Sequence, residues 1–163
     1  MKYIACIDSL GGLGFKGNLL FHIKKDMEHF KELTTGGVVV MGYNTYKSLP
    51  HGALPNRLNI VMTKNHTVEE DGVVVVDSHD ALFEYLKDNN INKDDVWVIG
   101  GARVYVDLLQ ECKEIYLTRV DALRESDVFF TCPETIAGWD LASIEHNEED
   151  GLEFDFEHFV RRN

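Results

Sequence analysis

Asp26 is the residue whose setting points most directly to chemistry. It lies in the segment IKKDMEHFKELT, where Ile23, Met27, Phe30 and Leu33 recur at helical spacing and mark one apolar face. Asp26 stands four positions before Phe30 and seven before Leu33, so it shares that face. A carboxylate there is unfavourable unless it is paired or hydrogen-bonded, and carboxylates so placed are candidates for binding or acid–base work. Asp26 is also near the start of its helix, where acids are common because they complement the dipole. Periodicity alone leaves both readings open.

Two junctions have the composition of phosphate cradles. The run Val96 to Ile99 leads through Gly100 and Gly101 into a helical pattern from Ala102 to Leu109. The run Val38 to Met41 leads through Gly42 into Tyr43-Asn44-Thr45 and a short helical stretch ending at Leu49. Helix starts carry unpaired N–H groups, and glycine lets a backbone approach closely. Neither GxGxxG nor GxxxxGK[ST] is present, so the phosphate signal is weak by itself and two plain glycine turns are the simpler reading of these residues. The seven histidines form no HExxH and no cluster with cysteine, and no metal site is expected. No GxSxG elbow occurs, and Cys6, inside the first apolar run, reads as a small core residue.

The elements that would position these residues follow from hydrophobic pattern. Apolar runs at Tyr3 to Ile7, Val38 to Met41, Leu58 to Met62, Val73 to Val76, Val96 to Ile99 and Ile115 to Val120 predict strands buried on both faces. Helical patterns at Lys24 to Thr34, Ser78 to Lys87 and Ala102 to Leu109 alternate with them. The C-terminal stretch differs: Leu152, Phe154 and Phe156 alternate with acids, as in a half-exposed strand. It is expected to pair with Leu141 to Ile144 through a turn at Glu149-Asp150-Gly151. The fold class is therefore α/β, with a mixed, mostly parallel central sheet, an antiparallel C-terminal edge and helices on both faces.

Composition narrows the class of function. A length of 163 residues suits one domain spanning 1–163, with no repeat or linker. The formal net charge of −12 argues against general nucleic-acid binding, which needs a basic face. An anionic ligand would need local cations or helix starts to hold it. Three cysteines without CxxC spacing suggest a reducing compartment, and the short N-terminal apolar run, broken by Asp8, does not read as a signal peptide. A cytoplasmic monomer with no membrane association is expected.

Several segments together resemble the dihydrofolate reductase family. They are IACIDSLGGLG, then GFKGNLLFHIKKDMEHFKELT, VMGYNTYKSLP, ALPNRLNIVMT, VWVIGGARVY, IYLTRV, the aspartate of ESDVFF, and FDFEHFVRR, in family order from Ile4 to the C-terminus. The resemblance implies NADPH-dependent reduction of 7,8-dihydrofolate to 5,6,7,8-tetrahydrofolate, in support of one-carbon metabolism, and antifolates as further ligands. It puts Asp26 on the pterin-binding carboxylate and Thr118 on the threonine that bonds it. Ile4, Cys6, Met27, Phe30, Leu49, Leu54 and Ile99 fall on the folate lining. Arg57 falls on the grip for the glutamate α-carboxylate, with Lys31 nearby. For the cofactor it implies Gly42, Tyr43, Asn44, Thr45, Thr63, Lys64, Gly100, Gly101, Ala102, Arg103 and Val104. It further implies Cys6, Leu13, Gly14, Gly17, Asn18 and Leu19 from the first strand and the loop after it. Tyr105 falls beside the nicotinamide, and a cis peptide is implied between Gly100 and Gly101.

The departures concentrate in one place. Leu20, Phe21 and Lys24 stand where the family usually has proline, tryptophan and proline around a mobile loop. Phe21 keeps an aromatic body without the indole N–H. Tyr43 stands where an arginine often meets the cofactor phosphates, and Thr131 where a proline is common. A related reductase acting on a ribosylated pyrimidine in riboflavin synthesis is the neighbouring reading, against which Asp26 and Arg57 speak. A non-enzymatic NADP-binding protein that kept the fold is the other.

Overall fold

Valine- and isoleucine-rich runs with no internal charge can be buried on both faces. In a computed structural model describing residues 1–163 they form the middle of an eight-stranded sheet. The first half of the chain provides β1 (Lys2–Ile7), β2 (Gly12–Phe15), β3 (Asn18–Leu19), α1 (Lys24–Thr34), β4 (Val38–Gly42), α2 (Tyr43–Ser48), β5 (Leu58–Met62) and β6 (Val73–Val76). The second half provides α3 (His79–Asp88), β7 (Val96–Gly100), α4 (Ala102–Asp107), β8 (Glu114–Val120), β9 (Val128–Phe129), β10 (Trp139–Glu149) and β11 (Leu152–Arg161). The sheet order is β10-β11-β8-β1-β7-β4-β5-β6. Six strands from β8 to β6 are parallel, and β11 and β10 add an antiparallel edge. This is the expected fold class.

Side chains alternate between the two faces. Tyr3, Ala5, Ile7, Val38, Val40, Val96 and Val98 pack with Leu82 and Leu86 of α3 and Tyr105 of α4. Ile4, Val39, Met41 and Trp97 point the other way, against Phe30 and Leu33 of α1 and Tyr46 of α2. The face carrying Asp26 is thus set by the period of two in β1, β4 and β7.

Three expectations need correction. First, Leu141 pairs with Phe159 and Ile144 with Glu157, while Leu152 and Phe154 face Glu149 and Asn147. A two-residue turn at Asp150 and Gly151, both at positive φ, fixes the register from the tip, so β10 runs much longer than its apolar residues suggested. Second, the loop after β1 contains β2 and β3, which join β9 in a small sheet of order β3-β2-β9. Glycine at Gly12 and Gly14 gives no hydrophobic period to read. A Cβ at Gly12 would lie 2.2 Å from Ser126 Oγ and 2.8 Å from Asp8 Oδ2. Third, Met27 is 53% exposed and does not belong to the core stripe, whereas Ile23 is buried. The capping Ser78 accepts from Ala81 N at 3.1 Å, as its position before α3 predicted. No helix is long and apolar enough to cross a membrane.

Candidate active site

Asp26 lies in the first turn of α1, with its side chain over β8 and β1. Thr118 of β8 is buried and donates from Oγ1 to Asp26 Oδ1 at 2.5 Å. Cys6 pairs in register with Thr118 across β1 and β8, which puts its side chain on the same face of the sheet. Burial pushes the Asp26 carboxyl above the ordinary aspartate range. The Thr118 bond, His29 and the Cys6 thiol oppose that rise, and Glu149 adds to it. Burial and the neighbouring carboxylate hold the Cys6 thiol well above its usual range, so it stays neutral beside Asp26. Cys6 packs against the apolar cluster of Phe21, Ile23, Val120 and Phe154, as a small core residue would. Burial also lowers the proton affinity of His29, with Asp26 pulling the other way. Its ring stacks on Phe156 at 4.0 Å.

An apolar wall extends from this carboxylate. Ile4 and the partly buried Phe30, Leu49, Leu54 and Ile99 belong to one cluster on the α1 face of the sheet. Arg57 closes its far end. Its guanidinium lies over Phe30 at 5.9 Å, and it donates to Pro55 O at 2.9 Å and Thr34 Oγ1 at 3.0 Å. Both partners are neutral, so the positive charge is oriented but not neutralised, as a site for a carboxylate requires. Lys31 is exposed in the last turn of the same helix.

The two glycine junctions come together at the ends of neighbouring strands β4 and β7. Neither α2 nor α4 has a side-chain cap at its start, where Gly42 and Gly101 are the N-cap residues. A Cβ on Gly42 would lie 3.3 Å from Val104 Cγ2, and one on Gly101 would lie 3.4 Å from Thr45 Oγ1. The peptide between Gly100 and Gly101 is cis. Tyr105 is buried behind Gly100 and donates from its hydroxyl to Ile4 O at 2.6 Å, which ties this junction to the apolar wall. Asn44 and Ala102 stand in the first turns of α2 and α4. At the outer end, Thr63 N donates to Val76 O at 2.9 Å, beside exposed Lys64. Arg103 is also exposed and sits 3.7 Å from Asp107 on the next turn of α4.

The loop residues are less closely engaged. Leu13 packs on the core and Gly14 pairs with Leu19 across β2 and β3. Gly17, Asn18 and Leu19 are exposed and make no hydrogen bond to the glycine junctions. Phe21 is buried in a cluster with Ile23, Val120 and Phe154, under the Arg124 guanidinium at 5.4 Å.

Four contributors escaped the sequence reading. Asp8 is buried and accepts from Leu10 N at 3.0 Å, Gly12 N at 2.7 Å and Arg124 N at 3.3 Å, which pins the loop after β1. An acid closing an apolar strand just before two glycines was a readable signal. His29, three residues after Asp26, could also have been found by helical spacing. His66 stacks on Tyr43 at 3.8 Å and lies 3.1 Å from Thr63 Oγ1, and no local pattern announces it. Glu149 reaches α1 from the β10–β11 turn, a contact that no sequence period encodes.

Comparison with known proteins agrees with this geometry. A family model described as dihydrofolate reductase matches residues 1–161. The dihydrofolate reductase of Staphylococcus aureus is 28% identical over 153 residues, covering 92% of this chain and 91% of the relative. The bifunctional dihydrofolate reductase-thymidylate synthase of Paramecium tetraurelia is 30% identical over 155 residues, and the chain spans 33% of its length. A solved structure of dihydrofolate reductase from Enterococcus faecalis, complexed with NADP(H) and RAB-propyl, superposes with a TM-score of 0.84. Its identity is 28%, and the match covers 99% of this chain and 96% of that one.

Proposed function

Because the chain belongs to the dihydrofolate reductase family, we propose that it reduces 7,8-dihydrofolate to 5,6,7,8-tetrahydrofolate with NADPH, and that Asp26 holds the pterin ring. The observation that carries this reading is the Asp26 carboxylate, bonded by buried Thr118 and opening onto an apolar wall that ends in Arg57.

The residues present suit the cofactor. Two uncapped helix starts packed at adjacent strand ends offer donors to a pyrophosphate, and the glycines Gly42 and Gly101 leave the backbone there open to close approach. Lys64, Arg103 and Thr63 would take the 2′-phosphate, which answers how a chain of net charge −12 binds a polyanion. When bound, NADPH supplies a hydride from nicotinamide C4 to pterin C6, and N5 gains a proton.

The protein's own part is alignment and electrostatics. Ionised Asp26 accepts hydrogen bonds from the 2-amino group and N3 of the pterin, and Thr118 fixes the carboxylate for that task. Ile4, Phe30, Leu49, Leu54 and Ile99 exclude water from the ring, and Arg57 grips the glutamate α-carboxylate. Tyr105 holds the Gly100 junction against β1. The charge of Asp26 raises the proton affinity of N5, and a water admitted beside Phe21 by the loop from Ser9 to Ile23 delivers the proton.

The test is loss of NADPH absorbance on adding dihydrofolate, with the ribosylated pyrimidine precursor of riboflavin as control. Turnover with dihydrofolate alone is expected. Turnover with the pyrimidine alone, or with neither substrate, would overturn the reading.

A further inference from the structure

The start of α1 lacks the usual local cap. Its N-cap residue is Ile23, which has no side-chain oxygen, so the first N–H groups of the helix need another partner. They find it 124 and 125 residues away in sequence. Glu149 Oε2 accepts from Lys24 N at 2.7 Å, and Glu149 Oε1 accepts from Lys25 N at 3.0 Å. The Lys25 ammonium donates to Glu148 O at 3.0 Å, and Glu148 Oε1 accepts from Gly151 N at 2.9 Å, which orders the turn that presents Glu149. The next residue after this clamp is Asp26.

We propose that Glu149 is a positioning residue for Asp26: from the tip of the β10–β11 hairpin its carboxylate caps α1 and fixes the turn that carries the pterin-binding carboxylate. The inference rests on the reading of Asp26 given above. A proline at position 24, as the family usually has, would donate nothing. Lys24 restores an N–H there, and Glu149 takes it. The clamp is thus matched to this chain's departure in the loop segment.

The clamp acts on Asp26 in two ways. It holds the first helical turn against fraying, so the carboxylate stays over Thr118. It also places a negative charge near a second one. The groups facing Asp26 are Thr118 of β8, Cys6 of β1, His29 of α1 and Glu149 of the hairpin, with Glu32 and Glu145 facing His29 in turn. Of these, Glu149 favours the protonated carboxyl, and the Thr118 bond, the His29 ring and the Cys6 thiol favour the ionised one. Removing Glu149 also exposes the positive end of the helix to Asp26, which acts in the same direction as removing its charge.

The experiment measures single-turnover reduction of dihydrofolate by NADPH from mildly acidic to mildly alkaline pH, so that product release does not mask the step. The proteins are wild type, Glu149→Ala, Glu149→Gln and Asp26→Asn, each with its thermal midpoint. In Glu149→Ala the rate at neutral pH is expected to fall about two- to fivefold, the fold-change of one helix-terminal charge interaction. Dihydrofolate affinity should weaken at neutral pH, and the acid-side loss of affinity, where Asp26 takes up its proton, should move to lower pH. Glu149→Gln keeps one acceptor without the charge, so it should recover affinity but share the pH displacement. If both Glu149 variants superimpose on wild type, or if Glu149→Ala lowers only the thermal midpoint, the proposal is overturned. If Asp26→Asn itself reduces dihydrofolate at the wild-type rate, it is the reading of Asp26 that fails.

Discussion

At the scale of the residue, Asp26 combines an unfavourable position with a directed purpose. Asp26→Asn is expected to reduce turnover at neutral pH about a hundredfold or more, the usual scale for such groups, with the residual rate rising as pH falls. A rate near wild type across neutral pH would reject the assignment. The same variant makes a stability prediction of opposite sign. Burial raises the folded-state pKa of Asp26, so the native state binds this proton more tightly than the unfolded chain does. Stability is lost as pH rises from the ordinary aspartate range through that raised value, and the loss is complete above it. Asp26→Asn should therefore melt higher than wild type at neutral pH, and the two curves should converge below the ordinary aspartate range. Arg103 gives a second residue-scale prediction. It is almost fully exposed and meets only Asp107, so it is available to a phosphate but screened by solvent. Arg103→Ala should raise the KM for NADPH about three- to tenfold, less than a buried charge-assisted pair would give, while leaving NADH nearly unchanged. Equal losses for both cofactors would take Arg103 off the 2′-phosphate.

At the scale of the element, the loop after β1 is a built structure rather than a free segment. Asp8 gathers three N–H groups around β2, and Asp127 accepts from Lys16 N at 2.9 Å while its own N–H donates to Gly14 O at 3.0 Å. These contacts hold the small sheet of β3, β2 and β9 next to the site. Asp8→Ala leaves buried donors unpaired and should destabilise the fold by about 1–3 kcal/mol. It should also lower kcat/KM for dihydrofolate by detaching the loop. Urea unfolding checks the first and steady-state kinetics the second. An unchanged unfolding midpoint would show that water replaces the carboxylate without loss. The element that proved hardest to read was this one, because glycines at Gly12 and Gly14 are required by close approach rather than by pattern.

At the scale of the whole molecule, the proposed function asks an acidic chain to bind an anionic cofactor. Its charge of −12 gives long-range self-repulsion that salt screens, whereas exposed Lys64 and Arg103, the cations proposed for the 2′-phosphate, would attract it locally. Raising sodium chloride from low ionic strength to about 0.5 M should therefore raise the thermal midpoint and weaken NADPH binding together, since at that salt the Debye length falls to roughly 4–5 Å. Calorimetry and cofactor titration in the same buffers test this. A midpoint that falls with salt would mean that local ion pairs, such as Arg119 with Glu157 and Glu134, outweigh the global repulsion.

What the sequence determined by itself is whatever repeats with a short period or stays within a few residues. Apolar runs, broken only by Asn59 in β5 and by Thr118 and Arg119 in β8, made the six parallel strands, a capping serine started α3, and glycines marked the turns into α2 and α4. Spacing put Asp26 on the same face as Phe30, and the family resemblance supplied Thr118 as its partner. The tertiary structure alone decided the contacts that join distant segments. It set Cys6 beside Thr118 across β1 and β8, stacked His66 on Tyr43, and exposed Met27 although it shares the spacing of Ile23. It also brought Glu149 to the start of α1. The physical reason is common to all of these. Period and propensity report only which side of an element avoids water, whereas a hydrogen bond or an ion pair depends on where two elements meet, and strand register and turn geometry fix that meeting across more than a hundred residues.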